Sequence, residues 1–207
     1  MRLTALPILR ERSSRALRGK RFLLGKHCKE YMPTFMLSLA NIVVYAYTAF
    51  RSNNVFVMDD KVMLLYGQFN FLVFNGWYWQ LFTSMFVHLN LLHLLGNLFF
   101  LLIFGLRAEE VFNLWEYLTV YFLSGLTGNL LTLLLGPWTV SVGASGSIFG
   151  MFGAVVMYLR MSFGQSIMGG LMLSFLLLLM TGGNEQVNIL GHFGGFDYWT
   201  VYWVFVG

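Results

Sequence analysis

Apolar stretches of fifteen to twenty residues, broken by short polar or glycine-rich joints, follow one another along this chain after a basic head. A helix needs about 20 mostly apolar residues to cross roughly 30 Å of hydrocarbon, and the uncharged runs can be measured against that length. Residues 31–50 make one span, with Pro33 in its first turn, where a missing N–H is harmless. Residues 62–106 are too many for one helix and too few for two helices with a loop. They read as an aromatic-rich interfacial segment ending near Phe86, then a second span from about His88 to Leu106. Residues 117–159 hold two spans, broken at Gly136-Pro137 and by the Gly/Ser-rich stretch up to Gly146. Residues 161–181 form a fifth span, and residues 188 to about 206 a sixth, interrupted by Asp197. The predicted fold class is an all-α polytopic membrane protein of six spans. Residues 1–31 form a basic segment and residues 32–207 the membrane domain.

Composition agrees with this reading. The chain is 57% hydrophobic and 11% charged, against roughly 25% charged in a soluble domain. Nine of its 13 Lys+Arg, from Arg2 to Lys29, fall in the first 31 residues. What charge remains is too little to cover a soluble surface, which excludes a water-soluble globular protein. A single cysteine, Cys28, excludes a disulfide framework. The net charge of +4 sits in a head that reads as a cytoplasmic membrane flank and not as a nucleic-acid surface. Held inside, the head sends spans one, three and five outward and spans two, four and six inward. Arg107 and Arg160 then fall in inner loops. A multi-pass protein of the cell membrane is expected. The Arg-rich, acid-poor head leaves the mitochondrial inner membrane as the alternative.

Polar residues mark spans two, four and six, the three that start on the outer side. His88 and His93 lie in the first turns of span two, with Asn97 one turn beyond. Ser145 opens span four, and His192 lies about one turn into span six. Read as residues 145–159, span four is only about 22 Å long. With Arg160 at the inner surface, its Ser145 end is expected to be submerged, and a helix that stops inside the membrane points to a site. Taken singly, each residue has a structural reading. Ser145 suits an N-cap, His88 a bond to a loop carbonyl, Asn97 an interhelical bond, and the glycines close helix packing. One mechanism uses them together: attack by Ser145 with His192 as general base. That pair must meet at about 3 Å. Gly146-x-x-x-Gly150 and Gly191, Gly194 and Gly195 are the small residues such an approach needs. His93 and Asn97, spaced i, i+4, share a face and can both donate to an oxyanion beside the Ser145 amide. Asp197, five residues from His192, cannot orient it, so the expectation is a dyad.

The stretches Gly143-Ala144-Ser145-Gly146, His88…His93-Leu94-Leu95-Gly96-Asn97 and Gly191-His192-Phe193-Gly194-Gly195 resemble the three signatures of rhomboid intramembrane serine proteases. The likeness covers roughly residues 77–196. It implies a six-helix rhomboid-like bundle with a half-embedded first loop over residues 53–86. It also implies Ser145 as nucleophile and His192 as base, with His93, Asn97 and the Ser145 amide as the oxyanion hole. His88 would support the first loop, Glu109 would be a structural glutamate, and the fifth span a substrate gate. Gly143, Gly146, Gly191 and Gly195 belong to the same motifs. The implied partners are single-span or polytopic membrane protein substrates and the lipid bilayer, with no nucleic acid, cofactor or metal. The family's Trp-Arg pair is Trp79-Gln80 here, which puts the anchoring of the first loop in question. A common tyrosine one turn after the nucleophile is Phe149, and span six continues as Phe196-Asp197-Tyr198-Trp199. Three rivals are weighed against this reading. A catalytically inactive relative that binds membrane helices keeps the scaffold but loses the serine or histidine. A metalloenzyme using His88, His93 and His192 would have its first two ligands splayed at i, i+5. A transporter would need internal repeats or ion-pathway carboxylates.

Overall fold

The computed structural model describes residues 32–163. The basic head, the fifth predicted span beyond Phe163, the sixth, and Gly191, His192, Gly195 and Asp197 lie outside the described residues. Helix α1 (Met32–Ser52) turns polar side chains inward. Thr34, Ser38, Asn41, Tyr45 and Thr48 are buried, whereas Phe35, Met36, Leu39, Val43 and Phe50 are exposed. Their spacing of four, three, four and three residues is one helical stripe. An apolar outside over a polar inside is the inverse of a water-soluble helix, and it suits a hydrocarbon surround in which small and polar groups join helices.

The segment after α1 is a chain of short elements. Helix α2 (Asp60–Tyr66) is capped by Asp59, whose side chain accepts from Lys61 N. Strand β1 (Gln68–Phe69), helix α3 (Asn70–Phe74) and helix α4 (Gln80–Thr83) follow. This is the predicted interfacial segment, and it carries exposed Phe71, Phe74, Tyr78, Trp79 and Phe82.

Helix α5 (Leu91–Val111) begins where Asn90 caps the backbone N–H of His93 at 2.8 Å. It therefore starts three residues later than the sequence reading of the second span, because His88 lies ahead of this cap, and it ends five residues later. Helix α6 (Leu114–Thr132) opens with a capping box. Asn113 accepts from Glu116 N, and the Glu116 carboxylate accepts from Asn113 N. A 3₁₀ turn, Leu133–Leu135, extends α6 to the break predicted at Gly136-Pro137. Strand β2 (Val140–Ser141) pairs antiparallel with β1, Gln68 opposite Ser141. Helix α7 (Ser145–Phe163) closes the described part.

Helices α1, α5 and α6 with its 3₁₀ extension are each long and apolar enough to cross a membrane. Helix α7 is central. Residues 147–154 are all buried, around its whole circumference, as befits a helix packed on every side. Ile148, Phe149, Met151 and Phe152 pack into one core with Leu101 and Phe104 of α5 and Val120 and Tyr121 of α6. Glycine lets the backbones close in at Gly105, where a Cβ would stand 2.7 Å from Thr34 Oγ1 and 2.9 Å from the Tyr117 hydroxyl. Glu109 Oε1 accepts from Thr34 N at 2.7 Å, and the Thr34 and Tyr117 hydroxyls bond at 2.9 Å. These contacts place the start of α1, the end of α5 and the start of α6 at one end of the bundle. These three helices alternate in direction, as the sequence pattern predicted for the first three spans.

One length departs from expectation. Span four was read as ending at Leu159, but α7 continues past an exposed Arg160 to Phe163, about 28 Å in all. Its last turn adds Met161 and Phe163 to the helix, apolar residues that the sequence reading had assigned to the next span. The depth of Ser145 therefore cannot rest on a short helix.

Candidate active site

Ser145 is the first residue of α7, at the bundle end opposite the Thr34–Glu109–Tyr117 contact. The chain reaches it from β2 through a tight turn. Gly143 adopts φ +116°, a conformation open to glycine and costly for other residues. Its N–H donates to Ser84 O at 2.9 Å. The intrahelical ladder of α7 begins with Ile148 N donating to Ala144 O at 3.0 Å, so the amides of the first turn, Ser145 to Ser147, are aimed along the axis toward the turn. The positive end of the helix dipole lies there too.

His93 and Asn97 meet this turn. A Cβ placed on Gly143 would stand 2.8 Å from His93 Cε1, 2.9 Å from His93 Nε2 and 3.8 Å from Asn97 Nδ2. The imidazole thus packs on the bare Cα of Gly143, two residues before Ser145. His93 and Asn97 are the third and seventh residues of α5, so the turn sits roughly 3–10 Å below the start of that helix along its axis. This contact sets the turn before Ser145 beside the first two turns of α5. Asn97 is buried, and its amide donates to His93 O at 2.9 Å. A second hydrogen remains on the same nitrogen. Asn97 Oδ1 is buried with no hydrogen-bond partner among the described residues.

His88 lies outside α5 and is fully buried. Its ring stands edge-on to that of His93, with centroids 5.2 Å apart. Burial first, and the neighbouring His93 ring second, push its pKa down to about 3. It is a neutral ring. Its Nδ1 lies 3.1 Å from Phe86 O, a carbonyl that can only accept, so Nδ1 carries the hydrogen. Nε2 is then a buried acceptor without a partner among the described residues. His88 thus bonds within the last turn of the interfacial segment and packs its ring against the first turn of α5. Among the described residues, no three His, Cys, Asp or Glu side chains gather closely enough to hold a metal ion.

Several residues that frame the site went unread in the sequence. Asn90 caps α5, and an Asn just before an apolar run is a legible signal for a helix start. Ser84 and Asn129 carry no local signal, since their roles depend on chain segments brought together from far apart. Gln80 settles the question raised by the missing arginine. It is fully buried; its Oε1 accepts from Phe69 N at 3.0 Å, and its Nε2 donates to Leu64 O at 2.8 Å. A neutral amide anchors the loop from both ends of one side chain.

Residues 75–206 match the family model described as the Rhomboid domain. Over 171 residues the chain is 32% identical to Rhomboid-like protease 3 of Toxoplasma gondii, covering 77% of this chain and 64% of that protein. It is 25% identical over 192 residues to Rhomboid protease GluP of Bacillus subtilis, covering 91% of this chain and 36% of the relative. It is 38% identical over 78 residues to the Arabidopsis thaliana protein named RHOMBOID-like protein 6, mitochondrial, covering 38% of this chain and 25% of the relative. The chain thus spans less than two thirds of the length of each of these. The matched region takes in α5, α6 and α7 and the turn on which His93, Asn97 and Ser145 converge, and on these grounds the chain belongs to the rhomboid family.

Proposed function

We propose that this protein is an intramembrane serine endopeptidase that cleaves transmembrane-helix substrates near the outer membrane face, through a dyad of Ser145 and His192. The observation that carries this reading is the packing of His93 and Asn97 against Gly143, which sets two donors beside the helix start that bears a serine. In the proposed reaction, Ser145 Oγ attacks the scissile carbonyl while the His192 imidazole takes its proton. The Ser145 amide, His93 and the second N–H of Asn97 stabilise the oxyanion, where one such donor is typically worth about 3–4 kcal/mol of barrier. His192 then passes its proton to the leaving amine, and the acyl-enzyme is hydrolysed by water that His192 activates. A helical substrate must unwind locally, because a carbonyl locked in a helix cannot be attacked. In this scheme Gly146, Gly191 and Gly195 are the small residues that a close approach of Ser145 and His192 needs, and His88 supports the outer loop. Neither cofactor nor metal enters the scheme. Its partners are single-span or polytopic membrane proteins and the surrounding lipid. We place the N-terminus in the cytoplasm and the protein in the cell membrane, with the mitochondrial inner membrane as the alternative.

A serine-directed fluorophosphonate tests the scheme. The purified full chain should be labelled at Ser145, and Ser145→Ala and His192→Ala should each abolish both labelling and substrate cleavage without loss of fold. A folded wild-type protein that takes no label would favour the catalytically inactive, helix-binding alternative.

A further inference from the structure

The turn that delivers Ser145 is held from outside its own helix, and the hydrogen bonds trace back to one residue. Gly143 N donates to Ser84 O at 2.9 Å. Ser84, itself buried, follows α4 directly. Asn129, in the last turn of α6, gives both amide hydrogens to this corner: to Leu81 O at 2.7 Å and to Ser84 Oγ at 2.9 Å. Its orientation is fixed, since Leu81 O can only accept and must face the nitrogen. The Asn129 backbone carbonyl in turn accepts from Gln68 Nε2 at 2.9 Å, and Gln68 pairs through β1 with Ser141, two residues before Gly143. One residue of α6 thus grips the approach to the nucleophile at both ends.

We infer that Asn129 is a positioning residue. By holding Ser84 it fixes the carbonyl that fixes Gly143, and through Gly143 the placement of Ser145 against His93 and Asn97. The catalytic part of this inference rests on the proposed role of Ser145. Asn129 touches none of the groups assigned to bond-making, so its effect is on geometry. A displacement of about 1 Å in a reacting group can cost on the order of 100-fold in rate. The grip uses neutral amides, hydroxyls and carbonyls only, so it holds at any pH at which the chain is folded.

The test compares the full-length wild type with Asn129→Leu, which keeps the volume and removes both donors. Three readouts are used: the rate of fluorophosphonate labelling, kcat and KM on a transmembrane substrate, and amide exchange over residues 139–146. Asn129→Leu should slow labelling and kcat roughly 10- to 100-fold, leave KM within about twofold of wild type, and speed exchange in that segment. A purely structural role would not split kcat from KM. Where the leucine variant does not fold, Asn129→Ala serves, since it removes the same two donors with no side chain to place beside Leu81 O and Ser84; a change of the same kind is expected. Wild-type labelling and exchange in a folded variant overturn the inference while leaving the protease reading intact. A wild type that takes no label, with exchange still faster in the variant, overturns the protease reading and supports the grip on the turn.

Discussion

A single carbon added at Gly143 would meet two obstacles at once. The backbone there, at φ +116°, is one that side chains rarely adopt, and the new Cβ would lie within 2.9 Å of the His93 ring. Gly143→Ala should therefore displace either the turn or the imidazole. Backbone strain of this kind costs about 1–3 kcal/mol, and labelling of Ser145 should fall by at least roughly tenfold, given the sensitivity of rates to placement. Gly96 is the control: it is helical, and a Cβ there would meet nothing within 4 Å, so Gly96→Ala should label at the wild-type rate. Equal labelling in both variants would mean that the His93–Gly143 contact does not matter to the site. The two glycines are indistinguishable by composition. The motif around Ser145 marked Gly143 as special, but its reason, a positive φ beneath a histidine from another helix, emerges only when α5 and α7 pack.

At the scale of elements, what was legible divides by the distance over which each element is held. The long helices were legible because each spans the hydrocarbon by its own apolar run, and bounds such as 31–50 against Met32–Ser52 differ by a residue or two. The interfacial segment was legible only as aromatic-rich. Its short pieces have no period of their own and are fixed by side chains that reach across the sequence. Asn70 Nδ2 donates to Thr132 O at 2.8 Å, and Thr83 Oγ1 donates to Tyr66 O at 2.8 Å. Gln80 is the test case, because it joins α2, β1 and α4 through one amide. Gln80→Ala leaves Phe69 N and Leu64 O without that partner, at about 1–3 kcal/mol for each buried group left unsatisfied. Its expected signature is a lowered melting temperature with early proteolytic nicking between residues 60 and 84. Melting and nicking at wild-type levels would return the anchoring of this loop to some other contact. The proposed dyad rests on the sequence motifs alone, since His192 lies outside the described residues.

Across the described residues as a whole, buried polar contacts join helices that share an apolar core beneath an apolar exterior, so stability should respond to buried hydrogen bonds more than to the packing of outward faces. In a lipid surround the outward-facing Phe35, Leu39 and Val43 of α1 meet hydrocarbon whether or not the helices associate, and contribute little to holding α1 in place. The stripe from Thr34 to Thr48 must hold it, and at its head Glu109 accepts from Thr34 N while Gly105 lets Thr34 approach. Thr34 is the third residue of α1, among the N–H groups that no helix can satisfy from within, and at this fully buried position no water replaces a lost partner. Glu109→Ala should therefore lower stability to detergent-induced unfolding by about 1–3 kcal/mol, with α1 the first helix to lose amide protection. Glu109→Gln keeps the accepting oxygen and should retain most of that stability. An equal loss in both variants would move the cause from the hydrogen bond to the negative charge at the positive end of the α1 dipole. Because Glu109 lies at the end of the bundle away from Ser145, either variant, where folded, should still label at close to the wild-type rate. A stability defect with normal labelling would separate the fastening of α1 from the chemistry proposed for α5 and α7.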